Sequence, residues 1–261
     1  MHPSLSSTSD PHYPDGKNPP PGRQKSSQPP SGIGARFAPT EALASQRSYF
    51  VEIPSNSVAA LNPKSFILKT LIQEIKAELR ANMNGVASKM MRDAGMTADY
   101  RLNFGIEIPR IQAIANDIAT NMLPKDQNPQ QQLQSLAQQL WKESVRECRI
   151  LATMLYPSQL MEPDLADLWT DDIRTVEIAQ LAALYLFSKI PAASQAAFRW
   201  IADEREMKQI TGFYTILHLI RTGRLNPRAK DELHDQAQVA AQTDNNHLRA
   251  VATKILNRIE G

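Results

Sequence analysis

Three tryptophans at a near-regular interval constrain this chain more than any other feature. Leu136-Ala137-Gln138-Gln139-Leu140-Trp141, Leu165-Ala166-Asp167-Leu168-Trp169 and Ala196-Ala197-Phe198-Arg199-Trp200 each close an apolar helical stretch with an indole, and the indoles stand 28 and 31 residues apart. A short polar turn follows each one, then a second, aliphatic helix: about Ser144 to Tyr156, Asp172 to Lys189 and Glu206 to Thr222. A fourth unit around Gln236 to Ile259 keeps the shape without tryptophan. Self-similarity at this period marks a repeating helix pair. One pair cannot bury its own apolar face, so several must stack. The fold expected is all-α, a curved α-solenoid whose second helices line a continuous inner surface.

The apolar spacing upstream is helical too. Asn62-Pro63 reads as an N-cap followed by proline at the first helical position, with Leu68, Leu71, Ile72, Ile75 and Leu79 as one stripe. Ile108, Ile111, Ala115, Ile118 and Met122 repeat the pattern after Gly105 and Pro109. Residues 178–187 are apolar on nearly every side, broken only by Gln180, which predicts a helix buried centrally between neighbours. The tryptophans themselves are expected to pack between repeats, because an indole buries a large area wherever it meets a core.

Residues 1–48 differ in kind. Nine of the 18 prolines and four of the 10 glycines fall before residue 41, among few large aliphatics. Such a segment cannot offset its ordering entropy, so a disordered Pro/Ser-rich tail is expected, followed by one helical repeat domain over 49–261. Tyr49-Phe50-Val51-Glu52-Ile53 is expected at most as a short extended piece on that domain. No run of about 18 apolar residues suggests a membrane span, and the N-terminus lacks the basic-then-apolar order of a signal peptide. With a single cysteine, Cys148, these features predict a cytoplasmic protein in a reducing compartment, and a monomer.

The net charge of +2 hides a segregation. From residue 51 onward acids and bases balance, but Arg199, Arg205, Lys208, Arg221, Arg224, Arg228 and Lys230 form one basic block. Glu162, Asp164, Asp167, Asp171, Asp172 and Glu177 form an acidic one. Most of those acids are ordinary helix-start residues favoured by the dipole. Glu177 differs, lying between Val176 and Ile178 at the head of the most apolar helix, where a carboxylate is costly unless a cation visits it. That visitor is either a structural arginine or a cation developing in a substrate.

Several reaction classes lack their residues. The five histidines show no i, i+4 pair with a glutamate between, and one cysteine builds no zinc module, so no metal site is expected. Glycine-rich phosphate loops and the G-x-S-x-G elbow are missing, so no nucleotide or other cofactor is expected. Cys148 lies ahead of an apolar run and reads as a buried, inert thiol.

Asn103-Phe104-Gly105-Ile106-Glu107-Ile108-Pro109-Arg110-Ile111 resembles the FGV-x-x-P-x-L/I segment of the DNA alkylation repair enzymes built from HEAT-like repeats. Leu136 to Trp141, then Arg146-Glu147 and Ile150-Leu151-Ala152, resemble that family's LA-x-x-LW, RE and aliphatic helix. Thr175-Val176-Glu177-Ile178-Ala179 resembles its TVD-x-[IL]A segment. The likeness runs in order over about residues 65–260. It implies a glycosylase that holds duplex DNA and releases N-alkylated, cationic purines without metal or nucleotide. The carboxylate that stabilises the oxocarbenium and orients water would fall on Glu177.

Two departures stand beside it. The family's aromatic falls on Ile173, and its arginine in the next repeat falls near Thr211 or Gly212. The expectation is therefore a DNA alkylation repair protein with Glu177 as catalytic carboxylate. Arg199, Arg205, Lys208, Arg221 and Arg224 would be DNA contacts, and Trp169 and Trp200 an aromatic cleft. The alternatives are a non-catalytic helical-repeat adaptor that binds DNA or protein, and a plain repeat scaffold.

Overall fold

The computed structural model describes residues 63–125 and 128–261, without the side chains of residues 63–65. The expected tail, the Tyr49–Ile53 piece and the Asn62 cap lie outside them. Among the described residues eleven α-helices follow one another: α1 (Pro63–Ala81), α2 (Gly85–Asp93), α3 (Ile108–Asp117), α4 (Pro129–Trp141), α5 (Arg146–Leu155), α6 (Pro163–Asp171), α7 (Val176–Tyr185), α8 (Ala193–Ile201), α9 (Glu206–Arg221), α10 (Lys230–Ala240) and α11 (Asn246–Glu260). Their starts carry the expected chemistry. Pro109, Pro129 and Pro163 occupy first-turn positions, where a missing N–H costs nothing. The Asn84, Asn128, Thr175 and Asn245 side chains accept from backbone N–H groups of the turns they open.

Packing follows the repeat. Helices α4 and α5, α8 and α9, and α10 and α11 pair within units. Between units α3 packs on α5, α5 on α7, α7 on α9 and α9 on α11, so the second helices form one shared layer, the HEAT-like solenoid. The tryptophans close the first-helix side. Trp141 and Trp169 stack with ring centres 4.2 Å apart and planes 4° from parallel, and Tyr156 meets Trp169 edge-on at 5.3 Å. Trp200 is fully buried, with Phe187 edge-on at 5.0 Å.

Several expected boundaries shift. The helix over 108–122 widens at Ile118–Met122 into a π turn, which the apolar pattern does not distinguish from a continuing α-helix. Helix α7 stops at Tyr185, a 3-10 turn carries the chain through Phe187–Lys189, and its Leu184 is 39% exposed. It lies between α5 and α9 as expected, while Glu177, Gln180, Leu181 and Leu184 form an i, i+3, i+4, i+7 stripe that reaches solvent. The fourth unit is itself a helix pair, broken at 241–245.

β-type pairing is confined, among the described residues, to a parallel bridge between Leu102 and Val145. It delivers the Asn103–Ile106 segment to the space between α2 and α5. Asn84 N–H donates to Phe104 O at 2.9 Å, and Ser88 Oγ donates to Asn103 O at 2.7 Å. Gly105 sits at φ +69°, where a Cβ would come within 2.3 Å of the Ser88 nitrogen and 2.5 Å of the Asn84 carbonyl oxygen. Both obstacles are backbone. Gly105→Ala should therefore cost about 2 kcal/mol or more, read as a lowered urea midpoint with an unchanged m-value.

Candidate nucleic-acid interface

At the N-terminal ends of α5 and α7, one guanidinium gathers three segments. Arg146, 1% exposed, donates Nε to Glu177 Oε2 at 2.7 Å and Nη2 to Glu177 Oε1 at 2.5 Å. Its Nη1 donates to Glu147 Oε1 at 2.9 Å and to the Ile106 carbonyl at 3.1 Å. Glu147, fully buried, also accepts from the Phe104 N–H at 3.1 Å and the Ile106 N–H at 3.4 Å. Desolvation opposes the Arg146 charge, but Glu177 and then Glu147 outweigh it, and the group stays above its ordinary pKa.

The cation that visits Glu177 is therefore Arg146. Two carboxylates around one guanidinium leave the triad at −1, with Glu177, its side chain 22% exposed, as the member that meets solvent. Tyr100 stands beside it, its hydroxyl 3.1 Å from Thr175 Oγ1. Burial pushes that phenol up, partly offset by the Thr175 hydrogen bond. Tyr100 is a neighbour the sequence reading missed, being distant in the chain and outside the quoted motifs.

The expected aromatic cleft does not form. Trp169 is 4% exposed and Trp200 fully buried, with its indole N–H donating to Asp167 Oδ1 at 2.6 Å, so neither ring faces an open groove. Ile173 is buried at 2% exposure. Thr211 is buried and donates to the Met207 carbonyl, while Gly212 lies so close to α8 that a Cβ would meet Ile201 and the Ala197 carbonyl. No arginine fits there. The solvent-reaching side of α9 runs instead through Leu217, His218 and Arg221, with Tyr214 accepting from Gln180 of α7 at 2.6 Å.

The basic block divides in two. Arg199 pairs with Asp167 at 3.3 Å, Arg205 with Asp203 at 2.8 Å and Asp171 at 3.0 Å, and Lys208 with Asp171 at 2.6 Å. Three of the five expected DNA contacts are thus matched with the acidic block across a repeat junction. Arg221 and Arg224 have no carboxylate partner among the described residues. Arg224 Nη1 donates to the Ser188 carbonyl at 2.7 Å, and Lys189 lies 6.0 Å over the Tyr185 ring. Burial, then Arg221 and Lys189, push the nearby His218 down.

A pocket of about 150 Å³ opens near Asn116, Met154 and Tyr185, at the end of α7 opposite Glu177, and no expected site residue lines it. Cys148 is buried, and desolvation pushes its thiol up to about 12, so it stays protonated. Among the described residues no group of three His, Cys, Asp or Glu could hold a metal ion, and no helix is long and apolar enough to cross a membrane.

Helix pairs stacked in this way define a HEAT-like repeat protein. The chain belongs to the DNA alkylation repair enzyme family, whose sequence model matches residues 75–258. It is similar in fold to a solved structure described as a new family of proteins related to the HEAT-like repeat DNA glycosylases with affinity for branched DNA structures. That match has a TM-score of 0.59 and 18% identity over 74% of this chain and 75% of that one. A search of curated proteins found no match.

Removing the central guanidinium exposes what it holds. Arg146→Met leaves two carboxylates facing each other in a dry junction and should cost about 3–5 kcal/mol, measured by chemical denaturation. The second test concerns pH. Hydrogen bonds from Arg205 hold Asp203 well below the usual carboxylate range, against a smaller desolvation. Desolvation pushes Asp171 up, but Lys208 and Arg205 outweigh it and keep it low. A depressed native pKa contributes stability that is full above the unfolded value of about 3.9 and is lost as pH falls through the native one. Asp203→Asn should therefore melt below the parent at pH 7, and the gap should close progressively below about pH 4.

Proposed function

We propose that this chain is a DNA-binding protein of alkylation repair that recognises its DNA target along the exposed side of the second-helix layer without itself excising the base. The Arg146–Glu177 pair carries the reading. A carboxylate stabilises an oxocarbenium through its unspent negative field. Here both oxygens of Glu177 already accept from a guanidinium, and that fixed cation would stand beside the developing one and repel it. The buried Ile173, Trp169 and Trp200 remove the aromatic faces that could compensate. The affinity for branched DNA ascribed to the structural neighbour supports binding as a function separable from excision.

One observation favours the second reading, release of N-alkylated purines by Glu177. The triad retains one negative charge, displays it on its solvent-reaching member and fixes that carboxylate rigidly beside Tyr100. Preorganisation of this kind is what an electrostatic catalyst needs.

The two readings separate in one pair of measurements on the full chain. Incubation with methylated duplex should release no methylpurine above the spontaneous rate, while binding to duplex or four-way-junction DNA should be measurable and should weaken steeply with salt. Release that is lost in Glu177→Gln would establish excision instead. Absence of binding to every DNA form would leave only a scaffold.

A further inference from the structure

We infer that Lys189, His218, Arg221 and Arg224 form a phosphodiester-binding site at the C-terminal edge of α7 and α9. The inference deepens the DNA-binding reading and rests on it. Two covalently distant segments build the site. The 3-10 turn Phe187–Lys189 brings Lys189 to the end of α7, and Arg224 closes the α9 end onto that turn through the Ser188 carbonyl at 2.7 Å. Gly223, at φ +65°, supplies the reversal that lets Arg224 fold back. His218 and Arg221 lie on the last turn of α9, facing the same edge.

The contrast with the cations at the repeat junctions gives the site its meaning. Arg146, Arg149, Arg199, Arg205 and Lys208 each hold a carboxylate within 3.3 Å. At this edge three cations and an imidazole stand together, and no carboxylate pairs with any of them among the described residues. Helix C-terminal carbonyls favour a cation near each end, but only weakly at an exposed site. They do not explain why four basic groups converge and the acids stay away. Like charges so placed repel, and an anion relieves that repulsion. Burial, and after it Arg221 and Lys189, push His218 down, so both cations lie near enough to act on the imidazole. A nucleic-acid backbone fits because it presents successive phosphates to a row of donors, and Arg221 and Lys189 are exposed to receive them.

The test uses the full chain, a fluorescein-labelled duplex and a labelled four-way junction, titrated between about 50 and 200 mM salt. Lys189→Gln/Arg221→Gln should bind at least about tenfold more weakly than the parent and should lower the slope of log affinity against log salt by about 2, from roughly 0.9 per lost phosphate contact. Arg199→Gln should leave the slope unchanged. Both substitutions are on exposed side chains, and matching melting curves confirm folding. A double variant with parental affinity and slope, alongside a parent that binds DNA, overturns this site and leaves the DNA-binding reading standing. A parent that binds neither DNA overturns both.

Discussion

A guanidinium taken out of water must find an acceptor for nearly every N–H, and that requirement at Arg146 organises the centre of this molecule. Four of its hydrogen bonds are made to three separate segments: Ile106 in the loop before α3, Glu147 on its own helix and Glu177 on α7. Glu147 then holds the backbone N–H groups of Phe104 and Ile106. The segment around Phe104-Gly105, the Arg-Glu dipeptide and the Thr-Val-Glu turn are thereby parts of one junction. Their shared spacing along the chain has a structural cause before it has a catalytic one.

The same rule governs the other charges. Acids and bases that are segregated along the sequence recombine across repeat junctions: Asp172 reaches back to Arg149, while Asp167 and Asp171 reach forward to Arg199, Arg205 and Lys208. Arg149 also lies 5.0 Å over Trp141, which stacks on Trp169, so ionic and aromatic contacts tie the same units. Exposed pairs of this kind contribute little each. Their larger effect is to fix which repeat meets which, and to remove their cations from the supply available to a nucleic acid.

The architecture was legible because helix periodicity and the tryptophan interval are local properties that survive folding. Leu71, Ile75 and Leu79 are buried as one stripe, and Trp141 and Trp169 meet between units as their spacing implies. The functional surface was not, because it depends on which charges find each other through space. A basic block read from the sequence gives no means of knowing that Arg205 faces Asp171 and Arg221 does not, since 34 and 50 residues separate them from that acid. Glu177 drew notice correctly as a costly carboxylate, and its partner lay 31 residues upstream in the Arg-Glu dipeptide. The π turn at Ile118–Met122 and the short α7 were hidden for a different reason: their apolar spacing is compatible with an uninterrupted helix.

What results is a surface whose polarity changes along the axis of α7. Its N-terminal end carries the net negative triad, its middle is the neutral stripe of Gln180, Leu181 and Leu184, and its far end leads into Lys189, Arg221 and Arg224, which pair with no carboxylate among the described residues. Ten helical residues span about 15 Å, roughly twice the Debye length of about 8 Å at physiological salt. The acid therefore does little to cancel attraction of a phosphate strand to the basic edge. On the proposed DNA-binding reading, a strand held there would be kept away from Glu177. Separation of the two ends, rather than an overall positive charge, is what the proposed binding of a polyanion draws on in a body with balanced acids and bases.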